Sequence, residues 1–238
     1  MKIVIDSLEV PVKLIRSARS NIRMSYKNGS HAILNVPQYI DKQGLDTALE
    51  KLSEWLTKLY RKDPELFSPP KSSIGDGQTV MIMGQSYTLH YQSRDHEYMF
   101  RARKKEDQIY IEIPEKHLGN PDAMSKVFPL MVNKLFLKAI TERVIQINQA
   151  TLNVKINKVS LRHNKSKWGS CSHTNNISLS TNLLLAPDHI INHVILHELA
   201  HVVHKDHSDN FWRLVAQYDK NWRENDAWLN RHGRKLNY

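Results

Sequence analysis

The chain has 238 residues, 40% of them hydrophobic, and a formal net charge of +10 from 34 Lys and Arg against 24 Asp and Glu, a composition ordinary for a packed core rather than a disordered chain and enough for one large or two modest domains. No run of about 18 uncharged apolar residues occurs and residues 1–9 lack a signal peptide's apolar stretch, so a cytoplasmic protein with no membrane partner is expected. The single cysteine, Cys171, excludes an internal disulfide and any zinc site built on paired cysteines, leaving metal chemistry to histidine and carboxylate.

Strands are predicted at 10–15, 21–26 and 31–36, with Asn28-Gly29 marking a tight hairpin turn between the last two. Leu45, Ala48, Leu49, Leu52, Trp55, Leu56 and Leu59 recur every three or four positions and predict an amphipathic helix over 45–60. Asp63-Pro64, Pro69-Pro70 and Gly75-Asp76-Gly77 then form a linker rich in breakers. Four strands follow at 80–83, 87–91, 98–101 and 109–113, with turns at Gly84-Gln85-Ser86 and at 104–107. A long helix is expected over 122–149, strands at 154–161, 167–172 and 177–180, and helices over 187–204, 208–218 and 224–234. No internal repeat is visible. The order points to an α+β fold with an antiparallel sheet. It divides as strands plus helix in 1–70, a small antiparallel β region in 77–116 and a region carrying the chemistry in 120–238.

The chemistry centres on His197-Glu198-Leu199-Ala200-His201, an H-E-x-x-H motif in an apolar helical context that opens with Pro187 and Asp188. Four residues turn a helix by about 400°, which puts His197 and His201 on one face, about 6 Å apart along the axis and able to close on one ion. Glu198 then stands beside the open coordination position, where it can take a proton from a water that zinc has acidified. A third ligand is needed. His204 on a continued helix would lie about 10 Å from His197 along the axis, too far to share an ion. His207 reaches the site if the helix ends near His204 and 205–208 turn back, with Ser208 capping the next helix, and it is the favoured third ligand. The resulting H-E-x-x-H-x₅-H spacing matches the metzincin signature, with His204 in place of the turn glycine. His193, one turn earlier, is read as supporting a ligand or simply exposed, and is left outside the ligand set.

These residues resemble the YgjP-like metallopeptidase domain family, predicted metal-dependent hydrolases related to SprT-like and wider zincin metallopeptidases. The resemblance rests on 165–172 (Lys-Ser-Lys-Trp-Gly-Ser-Cys-Ser), similar to a W-G-S-C strand, and on the histidine motif followed by His207-Ser208 and Phe211-Trp212. Weaker signatures are Arg16-Ser17-Ala18-Arg19, Asn35-Val36-Pro37 and Gly84. Lys167 stands where an arginine is common. The resemblance implies a zincin-like core with an active-site helix, preceded by a mostly β N-terminal region, with His197, His201 and His207 as ligands and Glu198 as catalytic residue.

Read physically, Gly169 marks a place where another backbone or a ligand approaches closely. The strand bearing it can pair with an extended peptide. Trp168 and Cys171 are read as packing residues, since Cys171 as a fourth ligand would close the site and leave Glu198 without a task. Phe211, Trp212, Leu214 and Val215 are the expected buried face of the following helix. Trp222, Trp228, Arg231, Arg234 and Lys235 read as core aromatics and solvated surface rather than a nucleic-acid platform, and Tyr218 and His232 are candidate oxyanion stabilisers. The leading expectation is a Zn²⁺-dependent metallopeptidase acting on a peptide or protein. The alternatives are hydrolysis of a nucleotide phosphoanhydride and a nucleic-acid-associated protein with a structural metal, both consistent with the basic balance.

Overall fold

The computed structural model describes residues 1–27, 29–67, 74–95, 100–164 and 166–236, without the side chains of Glu65, Pro121, Asp122, Arg234 and Lys235. Asn28, Pro69-Pro70, positions 98–99 of an expected strand, Lys165 and the two basic side chains of the tail therefore lie outside the described residues. The chain divides into two compact units, Met1–Ser72 and Ser73–Tyr238.

The first unit holds β1 (Lys2–Ile5), β2 (Leu8–Ser17), β3 (Arg23–Lys27), β4 (His31–Pro37) and α1 (Lys42–Lys62). Its sheet runs β1-β2-β4-β3. Alternation along the strands sends Ile5, Val10, Val12, Ala32, Leu34 and Val36 to one face, where they pack on Ala48, Leu52 and Leu56 of α1. Asp41 caps that helix by accepting from Gly44 N at 2.8 Å.

The second unit starts with β5 (Thr79–Ile82), β6 (Gln85–Arg94), β7 (Arg101–Lys105) and β8 (Gln108–Pro114), in the order β5-β6-β8-β7, followed by α2 (Pro121–Ala150). It continues with β9 (Lys158–Arg162), β10 (Gly169–Cys171) and β11 (Asn176–Ser180), ordered β10-β11-β9, then α3 (Asp188–Val203), α4 (Asp209–Tyr218) and α5 (Trp222–His232). One apolar core joins β5–β8, α2, β9, β11 and α3, from Ile82 and Leu89 to Phe128, Ile140, Ile177 and Ile195. The architecture is α+β. None of the described helices is long and apolar enough to cross a membrane.

All three described sheets are mixed, which corrects the antiparallel expectation. β2 runs parallel to β4, β6 to β8 and β9 to β11. In the first two sheets, two hairpins lie side by side with their second strands innermost, because the link between hairpins steps past the inner strand to the far edge. Consecutive hairpins in a sequence do not reveal which strand of the second joins the first.

The same comparison uncovers a repeat that the sequence hides. Ile5, Val12, Ala32 and Pro37 correspond to Ile82, Leu89, Ile109 and Pro114, every pair 77 residues apart and at matching positions of two ββββα arrays. Across β1, β2 and β4 and their counterparts β5, β6 and β8, only Ile5/Ile82 and Pro37/Pro114 are identical. The match lives in burial and in turn geometry. Asp6 and Ser7 (φ 41° and 72°) and Met83 and Gly84 (φ 51° and 75°) close equivalent two-residue hairpins, whose twist requires positive φ at both positions. Without a glycine, the first turn carries no sequence signal, and β1 goes unpredicted.

Candidate metal centre

Helix α3 is fixed at both ends. At its start, Arg143 of α2 donates to Asp188 Oδ1 at 2.8 Å, to the Asp188 carbonyl at 3.0 Å and to Asn192 Oδ1 at 2.8 Å. Gly84 lies so close to Asp188 that a Cβ there would come within 2.8 Å of Oδ2. At its far end the helix stops at Val203, with His204 extended (φ −120°, ψ 116°) as the C-cap. The chain then turns back and enters α4 through Ser208. That stop sends His207 toward the helix instead of away from it. Ser208 sits at the N-cap as expected, but its side chain makes no capping bond; its own N–H reaches Asp206 Oδ1 at 3.4 Å.

The turn brings His197, His201 and His207 together, with one ring nitrogen from each lying within 4.8 Å of the others. His197 Nε2 and His207 Nε2 are 3.1 Å apart. That separation is near the ~3.4 Å edge of a tetrahedron with ~2.1 Å bonds to nitrogen. The His201 Nδ1–H donates to the His204 carbonyl at 3.0 Å, which leaves Nε2 with its lone pair. Burial, then the neighbouring His201, His207 and His193, lower the His197 pKa to about 3, and burial lowers that of His201. The His197 imidazole is therefore neutral near pH 7, and the His201 shift acts in the same direction. Phe211 of α4, fully buried, supports the trio with its ring centroid 4.9, 4.5 and 4.9 Å from those of His197, His201 and His207. Trp212 stacks on Trp222 at 4.3 Å.

Glu198 is 5% exposed, and its Oε2 has no hydrogen-bond partner among the described residues. Burial pushes its pKa up to about 8, with Lys167 pulling the other way. A carboxyl in that position calls for a cation or a proton. Three imidazoles converging beside it are a donor set suited to a divalent ion of the zinc class, so these residues could hold a metal.

The cleft in front of these groups has a volume of about 360 Å³, and Lys167, Gly169, Ser170, Cys171 and Lys205 line it beside the histidines and Glu198. Strand β10 forms its wall as an edge strand. Gly169 is required there: a Cβ would lie 2.5 Å from Glu198 Oε1 and 2.6 Å from its Cγ. The close approach anticipated from the sequence is thus by the Glu198 side chain. Gly169→Ala is expected to displace the carboxyl and lower kcat/KM about 10–100-fold, with metal uptake retained. Metal analysis and steady-state kinetics on the variant check this; full activity would mean the carboxyl tolerates displacement.

Two further groups take roles that spacing along the sequence does not show, and the first corrects the expectation that His193 is exposed or supports a ligand. His193, 2% exposed, meets Asp219 Oδ2 at 2.7 Å, and Asp219 also accepts from Asn225 Nδ2 at 3.0 Å, tying α3 to the start of α5. Its position one turn before His197 was the only signal, and Asp219 could not be placed from spacing. Lys205 donates to Asn175 Oδ1 at 3.1 Å and to the Ser172 carbonyl at 3.5 Å, with Cys171 Sγ at 3.9 Å, which holds its charge at one end of the cleft. His204 contributes its carbonyl. Tyr218 and His232 do not line the cleft; His232 stacks on Trp228 at 4.9 Å.

A family model described as YgjP-like, metallopeptidase domain, matches residues 20–232. No curated protein and no solved structure matches the chain.

Proposed function

The chain belongs to the YgjP-like metallopeptidase domain family, whose description indicates a metal-dependent hydrolase, and from that premise we propose a zinc metallopeptidase with a zincin-like core. His197, His201 and His207 hold the ion and Glu198 is the general base. The observation that carries this reading is the buried Oε2 of Glu198, unpartnered among the described residues, in the same cleft as three converging imidazoles. When bound, the ion supplies Lewis-acid polarisation of a carbonyl and acidifies a water.

The chain's own groups do the rest. Glu198 accepts the proton of the attacking water at its carboxylate and returns it to the leaving amine. The carbonyl of His204 keeps the His201 ring oriented, and Phe211 keeps the three rings from turning away. The outer edge of β10, unpaired among the described residues, suits an extended peptide, with the peptide or protein substrate adding a strand beside α3.

A second reading draws on Lys167 and Lys205, two cations in a cleft whose only carboxylate among the described residues is Glu198. That charge also suits a nucleotide phosphoanhydride. The two are separated by supplying one zinc-loaded preparation with a peptide library and with nucleoside triphosphates. Peptide cleavage that a chelator abolishes and added zinc restores is expected; turnover confined to triphosphates would replace the peptidase reading, and no turnover of either would remove both.

A further inference from the structure

The first sheet has a second face, turned away from α1, and its charge is not balanced. Residues 1–37 carry six Lys and Arg against two acids, whereas residues 38–72 carry six of each. Both acids of the sheet are engaged: Glu9 pairs with Lys2 at 2.5 Å and Asp6 with Arg61 at 3.4 Å. Lys13, Arg19, Arg23 and Lys27 are exposed and form no ion pair among the described residues. At one end of this face Arg19 and Arg23 line a cleft of about 520 Å³ with Ser17, Asn21, Met24, Ser25 and Asn35, and no carboxylate stands in its walls among the described residues.

The internal repeat supplies a control for this pattern. In the second sheet Arg101 stands opposite Glu112 across the β7–β8 pair. At the matching place in the first sheet, Arg23 stands opposite the neutral Asn35. The backbone solution is the same in both copies, and only the first leaves the arginine without an acid across the strand.

Arg23 and Lys27 are four residues apart on one face of β3, about 13 Å at ~3.3 Å per residue, farther than one carboxylate or phosphate monoester reaches. The complementary ligand is therefore a chain of anions. Tyr39, 88% exposed, stands in the turn after β4 next to Gln38, whose N–H is held by the carbonyl of the cleft residue Ser17 at 2.8 Å. An exposed aromatic residue two positions from that groove along the Ser17–Gln38 contact, with neutral hydrogen-bonding groups in the groove, suits stacked bases on a phosphate backbone. We propose that this face of the first sheet binds single-stranded nucleic acid, with Lys13, Arg19, Arg23 and Lys27 on phosphates and Tyr39 stacking on a base.

The test uses the full chain and labelled 15-nucleotide single strands of DNA and of RNA, with binding followed against salt. Four phosphate contacts at ~0.7 released counterions each give a slope of log K against log[salt] near −3. Arg19→Gln with Arg23→Gln is expected to weaken binding at least tenfold and flatten the slope by about 1.5. Tyr39→Ala should weaken binding about tenfold with the slope unchanged, since stacking releases no counterions. Asn35→Glu, which copies the acid of the second sheet, should also weaken it, and Arg101→Gln should not. Melting temperature and metal content are expected to match wild type in every variant. The proposal is overturned by no binding, by a slope that the double variant leaves unchanged, or by tighter binding to duplex, polyglutamate or phosphatidylserine vesicles than to either single strand.

Discussion

Glu198→Gln is expected to keep about one metal ion per chain while kcat/KM falls about 10³-fold. Glutamine has the size of glutamate and leaves the packing against Gly169 intact, so the variant removes proton transfer with little change of shape. General acid–base catalysis contributes on the order of 10²–10⁴-fold, which sets the scale of the loss. Most of the loss should fall in kcat, because proton transfer belongs to the transition state. Elemental analysis and steady-state kinetics on the same preparation decide the matter. If metal and activity disappear together, Glu198 has a structural task; if both stay, it is not the base.

His207→Ala is expected to weaken metal affinity about 10²–10³-fold, the share of one ligand in a structural-type binding energy of roughly 10–16 kcal/mol spread over four positions. Activity should vanish at stoichiometric metal. His204→Ala is the informative partner, because the structure uses the His204 backbone carbonyl, which alanine also has. It should bind metal like wild type. Competition against a chromophoric chelator measures both, and a loss of affinity in His204→Ala equal to that in His207→Ala would assign a ligand role to the wrong side of the turn.

What the sequence allowed one to read was local. The spacing of His197 and His201 on one helical turn, and the distance argument for His207 over His204, rest on helix geometry and hold wherever the helix lies. The strands of the first sheet were legible where Asn-Gly or proline punctuated them, and β1 was lost because Asp6 and Ser7 adopt positive φ without a glycine to announce it. The parallel pairing of β2 with β4 depends on which strand of a hairpin turns inward, and the duplication on burial shared by different side chains; neither leaves a residue pattern. Gly169 was visible as a site of close approach, but its occupant, the Glu198 side chain, comes from 29 positions along the chain and only the tertiary structure brings the two together.

Phe211 has a consequence for how the protein opens. Its ring is buried under all three imidazoles, so α4 cannot fray without removing the support of the rings, and the rings cannot close on an ion without holding α4 in place. If the proposed ion binds, its binding free energy is shared with that helix by linkage, and local opening of residues 209–218 is expected to depend on free metal concentration. With an ion held as proposed, α4 would be as stable as its surroundings are rich in that ion.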